Sequence, residues 1–218
     1  MTSTQRREQL IRVARSVFAD HGFDGTSVEE IASKAKVSKP VVYEHFGGKE
    51  GLYAVVVDRE VRALDEAIQA AIRTPDASYR EIIERGSFAL MDYIDSCPEG
   101  FRIISRDSAV GSASGSFASI LNDIAASVEE MLRVGIKGHG FDPHLAGAWA
   151  QALTGLVANA GQYWLEKRKP NKEELVRQLV NLAWNGLATL ETHPELLTKP
   201  SRDGRERIAP TRRPLQEK

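Results

Sequence analysis

TSVEEIASKAKVSKPVVYEHFGGKE, Thr26 to Glu50, is the stretch that decides the fold. Thr26 or Ser27 offers a hydroxyl N-cap, and Glu29 or Glu30 follows at capping-box distance, so a short helix starts here. Ile31 and Ala32 face inward, and the helix ends near Ala35. The spacing predicts a second helix over Val37–Phe46, with Ser38 as N-cap. Pro40 then falls in the first turn, where an amide N–H has no intrahelical partner to lose. Gly47 and Gly48 close that helix, and Lys49 opens the next. Two short helices joined by a tight turn make a helix-turn-helix, in which the later helix enters the DNA major groove. Ile31, Ala32, Ala35 and Val37 are small or apolar where such helices cross.

On either side of this stretch the pattern is helical, with no run of alternating apolar residues to support a strand. Arg6–His21 places Leu10, Val13, Ala14, Val17 and Phe18 on one face, and Gly22 follows as a C-cap. A long helix is expected from Lys49 to about Arg73, with Leu52, Val56, Leu64, Ile68 and Ile72 on its buried side and Pro75 beyond it. Further helices are expected over about Ala77–Ser96, Gly100–Arg106, Ser116–Lys137, Pro143–Lys167 and Asn171–Thr192, with the Gly111–Ser116 segment GSASGS as a joint. The expected fold class is all-α: a helix-turn-helix domain over 1–48, a larger helical ligand-binding and dimerisation domain over 49–193, and a disordered basic tail over 194–218.

The net charge of −1 hides an uneven distribution. Residues 1–50 carry 8 Lys/Arg against 7 Asp/Glu, residues 51–198 carry 14 against 20, and residues 199–218 carry 7 against 3. An acidic middle directs any polyanionic partner to the N-terminal part. The lone Cys97 rules out an internal disulfide framework and fits a reducing cytoplasm. Leu145–Leu165 holds 21 residues without a charge, enough to span a bilayer, but Gln151, Thr154, Asn159, Gln162 and many Ala and Gly make it a closely packed helix instead.

Enzyme chemistry finds no foothold. His21, His45, His139, His144 and His193 are scattered, and none stands at metal-ligand spacing from a Cys or carboxylate. GSASG at Gly111–Gly115 has Ala113 where a nucleophile elbow needs serine. No phosphate loop or dinucleotide fingerprint is present, so no cofactor is expected.

The motif residues Thr26 to Ala32, Ala35 to Ser38, Tyr43 to Phe46 and Lys49 to Leu52 resemble the DNA-binding signature of the TetR family of bacterial regulators. KPVVYEHFGGKEGLYAVVVDRE, FRIISRDSAV and LVNLAWNGLATLE further resemble the actinobacterial fatty-acid-synthesis regulators of the FasR type, which respond to long-chain acyl-CoA. The resemblance implies a dimer on a palindromic operator with a small-molecule acyl effector. Read from the residues, Thr26 and Ser27 suit a phosphate, and Lys49 suits a second one at a helix start. Tyr43 and His45 donate to the DNA backbone, Lys39, Pro40 and Val42 meet base edges, and Lys36 and Ser38 lie in the turn between. Phe46 is expected in the core.

For the larger domain, the expected ligand lining is Ile83, Phe88, Leu90, Phe101, Ile104, Phe117, Leu121, Ile124, Trp149 and Leu153, with Arg106 among the cations at its mouth, beside Arg102, Arg133 and Lys137. The expected dimer face uses Ala150, Gly155 and Ala158 on one helix and Leu175, Leu179 and Leu182 on the next. Two other readings stay open: the same fold with a different effector such as a drug, and a helical lipid-binding protein or enzyme without DNA affinity.

Overall fold

The computed structural model describes residues 1–106, 117–136 and 138–196. The GSASGS joint, Lys137 and all but the first three residues of the basic tail lie outside them. The described residues form nine α-helices: α1 (Ser3–His21), α2 (Val28–Lys34), α3 (Lys39–Phe46), α4 (Lys49–Ile72), α5 (Tyr79–Ser96), α6 (Pro98–Arg106), α7 (Phe117–Ile136), α8 (Leu145–Lys167) and α9 (Lys172–Ala188). No helix among them is long and apolar enough to cross a membrane.

Local chemistry sets the helix ends. α1 starts earlier than its apolar face requires, because Thr2 and Gln5 complete a capping box. α5 starts at Tyr79 for the same reason, through Ser78 and Glu81. α9 stops at Ala188, short of the expected Thr192, and Asn171 caps its start by accepting from the Glu174 N–H. At the end of α3, Gly47 takes a left-handed φ of 74°, which a side chain would strain.

Two apolar cores stand side by side. The N-terminal core gathers Leu10, Val17, Phe18, Ile31 and Val42 and takes in Leu52, Val56 and Val57 of α4 and Ile103 of α6. It therefore extends past residue 48. The second core gathers Leu64, Ile68, Met91, Phe101, Ile120, Trp164 and Val180 among others, from α4 through α9. α4 belongs to both, and the partly buried Val61 packs against each. α6 docks α1 onto the larger domain: Arg106 Nη1 donates to the Ala19 carbonyl at 2.8 Å while Ile103 enters the N-terminal core.

Phe18 is 1% exposed and meets Tyr53 edge to face at 4.8 Å. Phe18→Ala is expected to cost about 3–5 kcal/mol in denaturant unfolding, whereas Val134→Ser on the surface is expected to stay within about 0.5 kcal/mol. Equal effects would contradict this placement of the core.

Candidate functional site

The turn between α2 and α3 is built by backbone bonds. Ala35 N–H donates to Ile31 O, Lys36 N–H to Ser33 O and Val37 N–H to Ala32 O, and Lys36 sits at a left-handed φ of 55°. Gln9 of α1 donates to the Ala35 carbonyl at 3.1 Å, fastening the turn to the first helix. α3 buries Val42 completely against this support. Its outward residues are Lys39, Pro40, Tyr43 and Glu44, which share one helical face by their spacing.

The structure sorts the expected contact residues. Ser27, Lys36, Ser38, Lys39, Pro40 and Tyr43 are exposed. Val42 is not available to a base edge, because its side chain is 0% exposed in the N-terminal core. Thr26 is also turned inward: it is 3% exposed, and its hydroxyl donates to the Gly22 carbonyl at 2.7 Å. The N-cap is Ser27, which accepts from the Glu30 N–H. Ser38 occupies the N-cap position of α3 but makes no side-chain capping bond. His45 is half-buried beside Phe46, itself packed on the N-terminal core and covered by Arg7, whose guanidinium lies 4.8 Å from the ring centre.

Lys39 and Lys49 both have partners. Lys39 pairs with Glu29 across the α2–α3 pair; that contact raises its pKa and lowers that of Glu29. Lys49 donates to the Phe23 carbonyl at 3.0 Å and lies 4.2 Å over the Phe23 ring, so it braces the α1–α2 loop from the start of α4. Glu44, four residues after Pro40 and so on the same face, is exposed as well.

In the larger domain a cavity of about 90 Å³ lies between α4, α5, α7 and α8, with Ala183 of α9 at its edge. Ile83, Leu90, Phe117, Leu121, Ile124 and Leu153 line it, as expected. The other four, and the mouth cations Arg106 and Arg133, do not. Phe101 and Ile104 are fully buried core, with Phe101 edge-to-face on Phe117 at 5.3 Å. Phe88 lines a shallow groove between α4 and α5. Trp149 sits against Phe141 in a separate open groove of about 720 Å³. Arg106 is engaged by Ala19 on α1, and Arg133 pairs with Glu129 on its own helix. Leu64, Ile68 and Ile72 of α4, expected simply on its buried side, also line the cavity, because only packing shows which core positions border a void. No described lining residue is charged, and the polar ones are Ser87 and Thr154. Ser87 donates to the Ile83 carbonyl at 2.7 Å, while the buried Thr154 hydroxyl has no partner among the described residues.

The expected dimer face also divides. Ala150, Ala158 and Leu179 are buried within their own chain, so they cannot meet a second copy. Leu175 is half-buried against the same core. Gly155 is half-buried with space beyond its Cα, and Leu182 is 63% exposed, as is Tyr163 at 61%.

Comparison with known proteins agrees with this architecture. Residues 10–56 match the family described as bacterial regulatory proteins, tetR family, and residues 67–197 match the tetracyclin repressor-like C-terminal domain. The chain is 31% identical over 185 residues to the HTH-type transcriptional activator FasR of Mycolicibacterium smegmatis, covering 84% of each protein. It is 26% identical over 183 residues to an uncharacterized HTH-type transcriptional regulator of Mycobacterium tuberculosis, covering 84% of this chain and 77% of the other. A crystal structure of a TetR-like regulator from Rhodococcus sp. RHA1 superposes with a TM-score of 0.72 at 26% identity, covering 85% of this chain and 97% of that one. With both of its parts matched and a relative aligned along most of its length, the chain belongs to the TetR family of DNA-binding transcriptional regulators.

Proposed function

We propose that this regulator is a homodimer whose affinity for a palindromic operator is set by a long apolar effector, a long-chain acyl-CoA, and that it governs fatty-acid biosynthesis genes. The observation that carries the reading is the cavity lining, which is apolar except for two hydroxyls and holds no charge among the described residues. Such a surface selects an alkyl chain, since each buried methylene contributes about 0.8 kcal/mol. A cationic drug would need a buried carboxylate in the lining, and none is supplied there. The likeness to FasR over 84% of each chain supports the same assignment. At about 90 Å³ the cavity is smaller than the ~150 Å³ that accepts one benzene, so an acyl chain enters only as the surrounding helices part.

On the DNA side, Lys39, Pro40, Tyr43 and Glu44 form the reading face, with Ser27, Lys36, Ser38 and Lys49 nearer the phosphates. An exposed carboxylate such as that of Glu44 can accept from a cytosine amine, a contact worth about 1–3 kcal/mol of discrimination. Glu29 competes with phosphate for Lys39. For the dimer, Gly155, Tyr163 and Leu182 form the outer face of α8 and α9, and two copies would place two reading helices on successive turns of the duplex.

Gel-shift titration is expected to show loss of operator binding in Tyr43→Ala, with the fold intact by circular dichroism. Glu29→Gln is expected to bind more tightly, with a salt slope steeper by about one as Lys39 is released to phosphate. Parental affinity in both variants would reject this face.

Palmitoyl-CoA is expected to change operator affinity by at least about fivefold, within the usual range of allosteric coupling. Leu121→Trp, which fills the cavity, is expected to keep operator binding and lose that response. An unresponsive parent would remove the acyl effector.

Sedimentation of Leu182→Glu is expected to show the 24.1 kDa monomer where the parent sediments as a dimer. A dimeric variant would move the interface elsewhere.

A further inference from the structure

Between the two cores lies a polar cluster that neither DNA reading nor the cavity accounts for. Glu60 of α4 is 7% exposed. Tyr93 of α5 donates to its Oε2 at 2.8 Å, and Cys97 at the end of α5 donates to the same oxygen at 3.3 Å. Arg15 of α1 donates from Nη1 to Oε1 at 3.4 Å and faces Glu99 of α6 at 3.5 Å. Four helices thus converge on one carboxylate. Tyr93, Cys97 and Arg15 all donate to it, as a carboxylate acceptor requires. Burial, then the Glu60 charge, pushes the Tyr93 phenol and the Cys97 thiol upward, so both stay protonated donors.

The position of the cluster is what gives it a role. Glu60 continues the row Leu64, Ile68, Ile72, the α4 residues that line the cavity, at four-residue spacing. Tyr93 lies three residues beyond Leu90 of the α5 lining. Two of the four helices that surround the cavity, α4 and α5, are tied by the Tyr93–Glu60 bond one turn away. A displacement of about 1 Å would stretch that bond beyond hydrogen-bonding range. Arg15 carries the other end of the cluster into the first helix of the reading head.

We propose that Arg15, Glu60, Tyr93 and Cys97 form a latch that sets the angle of the DNA-reading head, and that filling the cavity opens it; these are positioning residues for operator binding. The effector half of the proposal rests on the acyl reading above. Latch closure and chain insertion oppose each other, so by reciprocity a broken latch strengthens effector binding.

Tyr93→Phe and Glu60→Gln are the direct tests. Gly100→Ala is a third: its Cβ would lie 2.1 Å from Glu60 Oε2, displacing the carboxylate without removing any polar group. In each variant, operator affinity without effector is expected to move toward the parent's value in saturating palmitoyl-CoA. The effector-induced ratio is expected to shrink at least fivefold, and palmitoyl-CoA to bind at least threefold tighter. A variant that lowers Tm but keeps the parental ratio assigns the cluster to stability alone and overturns the latch. If the parent does not respond to palmitoyl-CoA, the acyl reading fails and hydrogen exchange decides the latch. Amides of α1 and α6 are then expected to exchange severalfold faster in Tyr93→Phe while α8 and α9 do not change. Unchanged or uniformly faster exchange overturns it.

Discussion

One helix serves two cores. α4 places Leu52 and Val56 in the N-terminal core and Leu64, Ile68 and Ile72 against the cavity, along 24 continuous residues. A helix held by backbone bonds at every turn moves as a rod, so a displacement at its far end reaches the reading head. Close packing adds to this, because interiors at crystal-like density pass strain on to neighbours and do not absorb it. α6 provides a second connection, through Phe117 to Phe101 on one side and Arg106 to Ala19 on the other.

Between those apolar segments α4 carries a buried carboxylate, a costly choice in a core. A buried ion held by several donors is weak evidence for stability, and replacement by a hydrophobe is often neutral or better. The choice makes more sense as geometry. Hydrogen bonds are short-ranged and directional, so a cluster around Glu60 has a defined closed state, whereas an apolar contact slides with little penalty. The approach of Gly100, where a side chain would strike Glu60, shows how tightly that state is enclosed.

The DNA face follows a different logic, since almost all of it is local. Ser27 caps α2, Gly47 ends α3, and Pro40 fits a first turn, each by rules that act over a few residues. This is why the helix-turn-helix was legible in the chain and why the motif residues fall on the expected elements. The misplaced ones, Thr26 and Val42, fail at a finer level. Motif spacing put them near the reading surface, but which side of a short helix faces inward depends on the helix packed beneath it.

The sequence by itself determined the all-helical class, the helix boundaries to within a few residues, and the reading motif, because caps, turns and 3.6-residue periodicity are local. Tertiary structure alone decided which apolar residues border a cavity and which, like Phe101 and Ile104, fill the core behind it. It also turned Ala150, Ala158 and Leu179 inward, leaving Leu182 outside. Above all, it brought Arg15, Glu60, Tyr93 and Cys97 together from four places in the chain. Periodicity tells that a residue is buried on one face, but burial looks alike along the chain whether the neighbour is a void, a core or a carboxylate, and only the packing of other helices distinguishes them.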